Sequence, residues 1–372
     1  MDMEAYKTKD KKKEVVYIDK LSPDERLNLL KRAPVKYIQQ LTQPTLKEQL
    51  TAVTINEKCV QYIKDPSLEV QLVAVQQNGN VIEYISHPSV EVQLAAVQQD
   101  GCAIRYIKNP SPEVQLAAVQ QDGDAIEYIK HPCLEAQLVA VQQRGSAIEY
   151  IEDPYLEVQL AAVQQRGDYI LYIKDPCLEI QLVAVQQSGT AIAYIDTPSL
   201  EVQLAAVQQR GSAIEYIEDP YLEVQLAAVH ESGNAIKYIM VPSPEAQLAA
   251  VQQSSSYIHY IKHPIFEAEL NSLKDNLSNI LYISNPDNEI ILAYIDIIEE
   301  LYNTSADIDK NNFEYVINHH IKFKTLPIKT KIKILCLCIK LDLVDSIKTI
   351  FNRKYISYYD LDDATKVLLE LL

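Results

Sequence analysis

The chain has no tryptophan, three methionines and four phenylalanines, and only eight of its 372 residues are glycine. All eight stand 22 residues apart, from Gly79 to Gly233. None is left to build a phosphate-cradling loop or a nucleophile elbow, which need glycines grouped within a few residues. The six cysteines are equally uninformative as chemistry. Cys59, Cys102, Cys133 and Cys177 are scattered, and Cys336 and Cys338 sit in the apolar run "IKILCLCIKLDL". This is neither a disulfide framework nor a metal-ligand spacing, and it reads as reduced, buried thiols of a cytoplasmic protein. No apolar run approaches the ~18 residues of a membrane span. The opening stretch "MDMEAYKTKDKKKEVVYI" is charged and lacks a signal-peptide core.

Basic charge is also short: 34 Lys and Arg stand against 51 Asp and Glu, for a net charge of −17. The imbalance is local, at +3 for residues 1–43, −17 for 44–285 and −3 for 286–372. The middle segment therefore disfavours phosphate backbones, which need Lys and Arg. Acidity of this kind favours basic partners and fast association at low salt, or simply solubility.

What the sequence has in abundance is repetition. "AVQQRGSAIEYIEDPYLEVQLAAV" occurs at 140–163 and again at 206–229, three periods of 22 apart. Twelve of the 17 prolines, from Pro44 to Pro286, keep the same period. A looser unit, "SPDERLNLLKRAPVKYIQQLTQ", precedes them. We read about a dozen tandem units, the twin stretches being one duplicated block. Heavy divergence at silent sites between the two coding stretches would sink the duplication.

With the proline as position 1, the unit reads P-S-L-E-V-Q-L-A-A-V-Q-Q-x-G-x-A-I-E-Y-I-x-D. Ser at 2 and Glu at 4 form a helix start: an oxygen caps free amides, and a carboxylate suits the positive helix end. The helix is expected to run about 11 residues to the glycine at 14, which can end it in the left-handed conformation. A-I-E-Y-I then has room for one to two turns, α or 3₁₀. On a helical wheel, positions 3, 7 and 10 form one apolar stripe and 5, 8 and 9 another, which predicts burial on two sides. Units that cannot bury their faces alone do so by stacking into a solenoid.

The stretch "DPSLEVQLVAVQQNGNVIEYI" and its copies resemble HEAT-type α-solenoid repeats. They are still more similar to the leucine-rich repeat variant, whose unit pairs one α-helix with a short 3₁₀ segment. The resemblance rests on D-P-S-x-E-V-x-L-A-A-V and implies an all-α, right-handed α-solenoid. The iron–sulphur cysteines of the variant family are absent, so no cluster and no cofactor is carried over. The near-identical copies and the Ile/Lys/Asn/Tyr-rich composition are similar to repeat proteins of large DNA viruses and phages, which implies a host-interaction role in the host cytoplasm. The expected organisation is a tail and cap over 1–43, the solenoid over 44–285 and a helical C-terminal cap domain over 286–372.

Positions that stay constant build a stack, so binding is sought where units depart from consensus. Tyr155, Tyr169 and Leu171 place apolar groups where Ser, Ala and Glu are usual, and Tyr221, His230, Met240, Val241, Tyr257 and His259 depart similarly. Met240-Val241 is the clearest anomaly, in a slot otherwise charged or polar. Gln at position 6, from Gln49 to Gln247, reads as a structural ladder or a groove lining. Tyr at position 19, from Tyr62 to Tyr282, reads as core edge or a base-stacking row. In the C-terminal part Lys322, Lys324, Lys329, Lys331, Lys333, Lys340, Lys348, Arg353 and Lys354 form a basic segment over 321–354. It reads as a solvated face or as a nucleic-acid surface. "LPIKTKIKILCLCIKLDLVDSI" has a faint F-box look, which implies a ubiquitin-ligase adaptor. His87, His131 and His263 adjoin unit prolines, and His319-His320 have no acidic or Cys companions at ligand spacing. No catalytic constellation and no metal site emerges. The expected function is a non-enzymatic scaffold for a protein partner, with no membrane association.

Overall fold

The structure, a computed structural model, describes residues 18–283, 286–304, 308–321, 326–343, 346, 347 and 350, the side chains of 319 and 320 excepted. The chain divides into two compact units, Met1–Pro176 and Cys177–Leu372. Every described element is helical.

Among the described residues the N-terminal unit opens with a 3₁₀ turn, Ile18–Lys20, followed by Pro23–Arg32 and Pro34–Ile38, then carries six helix–3₁₀ pairs, from Leu46–Ile55 with Glu57–Tyr62 to Leu156–Gln165 with Gly167–Tyr172. The C-terminal unit carries five, from Leu178–Gln187 with Gly189–Tyr194 to Phe266–Asp275 with Leu277–Tyr282. The period ends there: Asn288–Asn303 runs 16 residues, and Lys310–Tyr315, a π-helical turn Val316–His320 and Ile328–Lys340 follow. Within each unit successive helices pack on one another, and each touches its own and the preceding 3₁₀ segment. This is an α-solenoid of regular 22-residue repeats.

Each repeat helix spans positions 3 to 12, ten residues, as in Leu68–Gln77. Ser89, Ser111, Ser199 and Ser243 cap their helices by accepting the N–H three residues on. Position 13 ends the helix in extended backbone, its N–H closing the last turn on position 9 (Asp100 to the Ala96 carbonyl, 2.9 Å). The same residue caps the 3₁₀ segment: Asp100 Oδ1 accepts the Cys102 N–H at 3.0 Å.

Two expectations are corrected. No glycine has a positive φ. The unit glycine opens the 3₁₀ segment, and what it supplies is space: a Cβ on Gly101 would stand 2.5 Å from the Ala118 carbonyl oxygen of the next repeat. The left-handed backbone falls instead just before the proline, at Asp65, His87, Asn109, Asp175 and Asp219, residue types that tolerate it better than most. The second correction concerns burial on two sides. Positions 5, 9, 10, 16 and 17 form the core, as with Val92, Ala96, Val97, Ala103 and Ile104, none more than 1% exposed. Leu68 at position 3 is 45% exposed, and Leu72 at position 7 is half-buried. Helices form one layer and 3₁₀ segments the other, so every helix keeps a solvent side. Each fully buried Val or Ile contributes roughly 1.5–3 kcal/mol.

Candidate binding surface

Surface chemistry follows from which repeat positions the two layers leave uncovered. The position-6 glutamines are not among the available groups. Gln225 Nε2 donates to the Pro220 carbonyl at 3.0 Å, and its Oε1 accepts the Ser243 N–H at 2.8 Å. Gln115 and Gln247 do the same with their own proline and the next repeat. In these three the amide is spent on backbone, tying one proline turn to the following one, whereas Gln203 uses only its Nε2, on the Pro198 carbonyl. Of the two readings of this ladder, the structural one holds.

The tyrosines at position 19 are a different matter. Tyr84, Tyr128, Tyr150, Tyr216 and Tyr282 are all more than one-third exposed along the 3₁₀ layer. Position 18 lies between successive rings. Arg105 Cζ stands 4.9 Å from the Tyr106 centroid and 5.7 Å from that of Tyr128. Lys237 Nζ repeats this in the C-terminal unit, 4.6 Å from Tyr238 and 5.9 Å from Tyr260. His259 lies 3.7 Å from the Tyr260 ring and 5.5 Å from Tyr282. Leu171 occupies the same position, exposed. The sequence singled out this row of tyrosines but not how far it is exposed, because exposure of a 3₁₀ segment depends on the neighbouring repeat.

Grooves open between successive turns. One of about 540 Å³ is lined by Glu215, Glu218, Asp219, Gln225, Tyr238, Met240 and Val241, among others. Met240 is 92% exposed and Val241 79%. Two solvent-exposed apolar side chains thus share a groove with three acidic residues. An equivalent groove of about 530 Å³ includes Glu83, Tyr84 and Tyr106. A smaller one, about 170 Å³, lies beside Tyr155 with Glu152 and Asp153.

The remaining sequence candidates do not converge on one spot. Tyr155 and Tyr221 sit exposed at helix N-caps without capping. Tyr169 and Tyr257 are half-buried, their rings packed over Gly145 and Gly233 of the preceding repeats. His230 is exposed late in Leu222–Glu231, on the helix layer. His87, His131 and His263 are surface residues.

Of the basic segment, Lys329, Lys331, Lys333 and Lys340 are described; Lys322, Lys324, Lys348, Arg353 and Lys354 lie outside the described residues. Lys333 pairs with Asp296 and, at 3.0 Å, with Glu299. Lys340 stands 3.5 Å from Glu299 and over the Tyr302 ring. These two bonds hold the Glu299 carboxyl below its usual range. Two cations of the segment are thus engaged in packing Ile328–Lys340 on Asn288–Asn303.

Among the described residues no group of three or more His, Cys, Asp or Glu is placed to hold a metal ion. None of the described helices is long and apolar enough to cross a membrane. Comparison with protein-family models, curated proteins and solved structures gave no match to this chain. Its class is therefore defined by its own geometry: an α-solenoid of helix–3₁₀ repeats with grooves between successive turns, the one beside Met240 lined by acids.

Proposed function

We propose that the chain is a non-enzymatic repeat scaffold that binds a protein partner of basic character. The observation that carries this is the Met240–Val241 groove, where exposed apolar side chains share the lining with Glu215, Glu218 and Asp219. Desolvating Met240 and Val241 supplies affinity, and the carboxylates select the sign of the partner's charge. The acidic repeat segment would speed the encounter. The relation to leucine-rich repeat variant solenoids is supported by the 3₁₀ form of every second element. A reducing cytoplasm, the host's if the chain is viral, is supported by the buried thiols of Cys59 and Cys338.

The test compares the intact protein with Met240→Asp/Val241→Asp in capture from a lysate of the source. A protein captured by the intact form, lost with the double variant and resistant to nuclease supports the scaffold. Capture that vanishes with nuclease and falls steeply with salt would move the function to nucleic acid and the 321–354 segment. The engagement of Lys333 and Lys340 by acidic residues weighs against that outcome.

A further inference from the structure

We propose that the tyrosines at position 19 form a ladder of cation slots that takes an extended, Arg- or Lys-bearing segment of the partner, one basic side chain per slot. The inference rests on the scaffold reading and names the chemistry of its ligand. Its basis is that the chain already fills two slots itself. Arg105 sits between Tyr106 and Tyr128, and Lys237 between Tyr238 and Tyr260, each cation about 5–6 Å from both rings. These two cases fall in different compact units and use different basic residues. The gap between successive rings is thus a property of the repeat, not of one side chain.

In four other repeats position 18 carries the opposite charge. Glu83 lies between Tyr84 and Tyr106 in sequence register, Glu127 between Tyr128 and Tyr150, Glu149 between Tyr150 and Tyr172, and Glu215 between Tyr216 and Tyr238. All four glutamates are exposed. Such a slot has aromatic rings on two sides and a carboxylate at its mouth, both attractive to a cation. The two larger inter-turn grooves open at two of these slots, one beside Glu215 with no basic side chain in its lining, the other beside Glu83 with Lys108 also lining it. An arginine suits them better than a lysine, because its planar guanidinium stacks on a ring while its N–H groups reach a carboxylate.

Geometry also sets the spacing of the ligand. Packed helical layers are about 8–10 Å apart, and a chain extended as polyproline II advances roughly 3.1 Å per residue with three residues per turn, so every third side chain faces the same way. Successive slots therefore match basic residues at every third position. Glu127 and Glu149 give two adjacent acidic slots in the N-terminal unit.

The experiment uses the full chain and a fluorescent peptide with arginine at every third residue, separated by Ser and Gly, read by anisotropy. Glu127→Arg/Glu149→Arg should plug two slots from within, as Arg105 does, and weaken binding about tenfold, a few-fold for each slot. Arg105→Glu should open the slot between its neighbours and tighten binding several-fold. Glu135→Arg/Glu157→Arg makes the same charge change on the exposed helix layer and should have a much smaller effect. Helicity by circular dichroism checks that each variant is folded. Equal weakening by the two double variants reduces the effect to net charge and overturns the proposal. So does a peptide with the same arginines in one block binding as well as the spaced one, or no binding at low salt. If the spaced peptide fails while Met240→Asp/Val241→Asp still abolishes protein capture, the ladder falls and the scaffold stands. If no form captures a protein, the scaffold reading falls as well.

Discussion

Gln165 grips Gly145 of the preceding repeat: its Oε1 accepts the Gly145 N–H at 2.8 Å, and its Nε2 donates to the Val141 carbonyl at 2.6 Å. One amide at position 12 thus satisfies two backbone groups that the ends of a helix and a 3₁₀ segment leave open. Gln165→Leu is expected to strand both groups and cost about 1–3 kcal/mol for each. Gly145→Ala should be comparably damaging, since its Cβ would stand 2.6 Å from the Tyr169 ring and 2.7 Å from Gln165 Oε1. Gln164→Leu, at the exposed neighbouring position, should be near neutral. Hydrogen exchange resolved by repeat is the measurement, because stability in a solenoid is local. Loss of protection confined to the repeats around 141–169 is the expected pattern.

The sequence showed the period, the helix caps and the short second segment because each is written in local residue choice: proline, then Ser, then Glu. The few residues between Gly and the next Pro left α and 3₁₀ both open, and only the resemblance to the leucine-rich repeat variant implied the 3₁₀ form that the structure shows. What stayed hidden depends on the neighbouring repeat. Leu68 and Val75 look alike on a wheel, yet only Val75 meets the 3₁₀ layer and is buried. Gly101 reads as a helix terminator, whereas its role is set by a carbonyl 17 residues later, at Ala118. Met240-Val241 stood out by contrast with its sister repeats, and both side chains are exposed. The slot between Tyr106 and Tyr128 could not be read from either repeat alone.

Arg26 and Glu48 link the first helix to the first repeat. Arg26 Nε stands 3.0 Å from Glu48 Oε1, with the Glu48 side chain only 2% exposed. Glu48 also accepts the Thr45 N–H at 2.8 Å as part of a capping box. Arg26→Met would leave that carboxylate buried without its cation, at an expected cost of about 3–5 kcal/mol. Arg26→Met with Glu48→Gln should recover a good part of the loss. A double-mutant cycle by chemical denaturation measures the coupling; additive losses would mean the pair does not act as a pair.

The cysteines should separate by reactivity. Burial pushes the Cys59 thiol from 9.0 up to about 11 and the Cys338 thiol to about 12, with Glu57 and Glu314 adding to it. Only the thiolate is nucleophilic, so at neutral pH Cys59 keeps about one-hundredth of the reactive form that an ordinary thiol has, and Cys338 less still. Cys177 is exposed. Iodoacetamide at neutral pH should label Cys177 first, and Cys59 and Cys338 only on unfolding. Peptide mapping after timed labelling checks this; early labelling of Cys59 would show that its repeat opens readily.

Glu269 interrupts the position-6 glutamine ladder, and its protonation should be visible in stability. It is nearly buried, and burial together with the Asp287 carboxylate raises its carboxyl from 4.5 to about 7. An ionised carboxylate cannot donate to the proline carbonyl as Gln247 does to Pro242 at 3.1 Å. The folded pKa is raised, so between about 4.5 and 7 the folded chain holds a proton that the unfolded chain has lost. The stabilisation this gives is fully present below that window and is lost as pH rises through it. Glu269→Gln restores the amide and removes the titration. It should match the wild type near pH ~4 and unfold a few degrees higher near pH ~8. Thermal unfolding across that range, followed in both proteins, decides the matter. Parallel curves would mean that Glu269 carries no proton in the folded chain and that its carboxylate finds water or another partner at neutral pH.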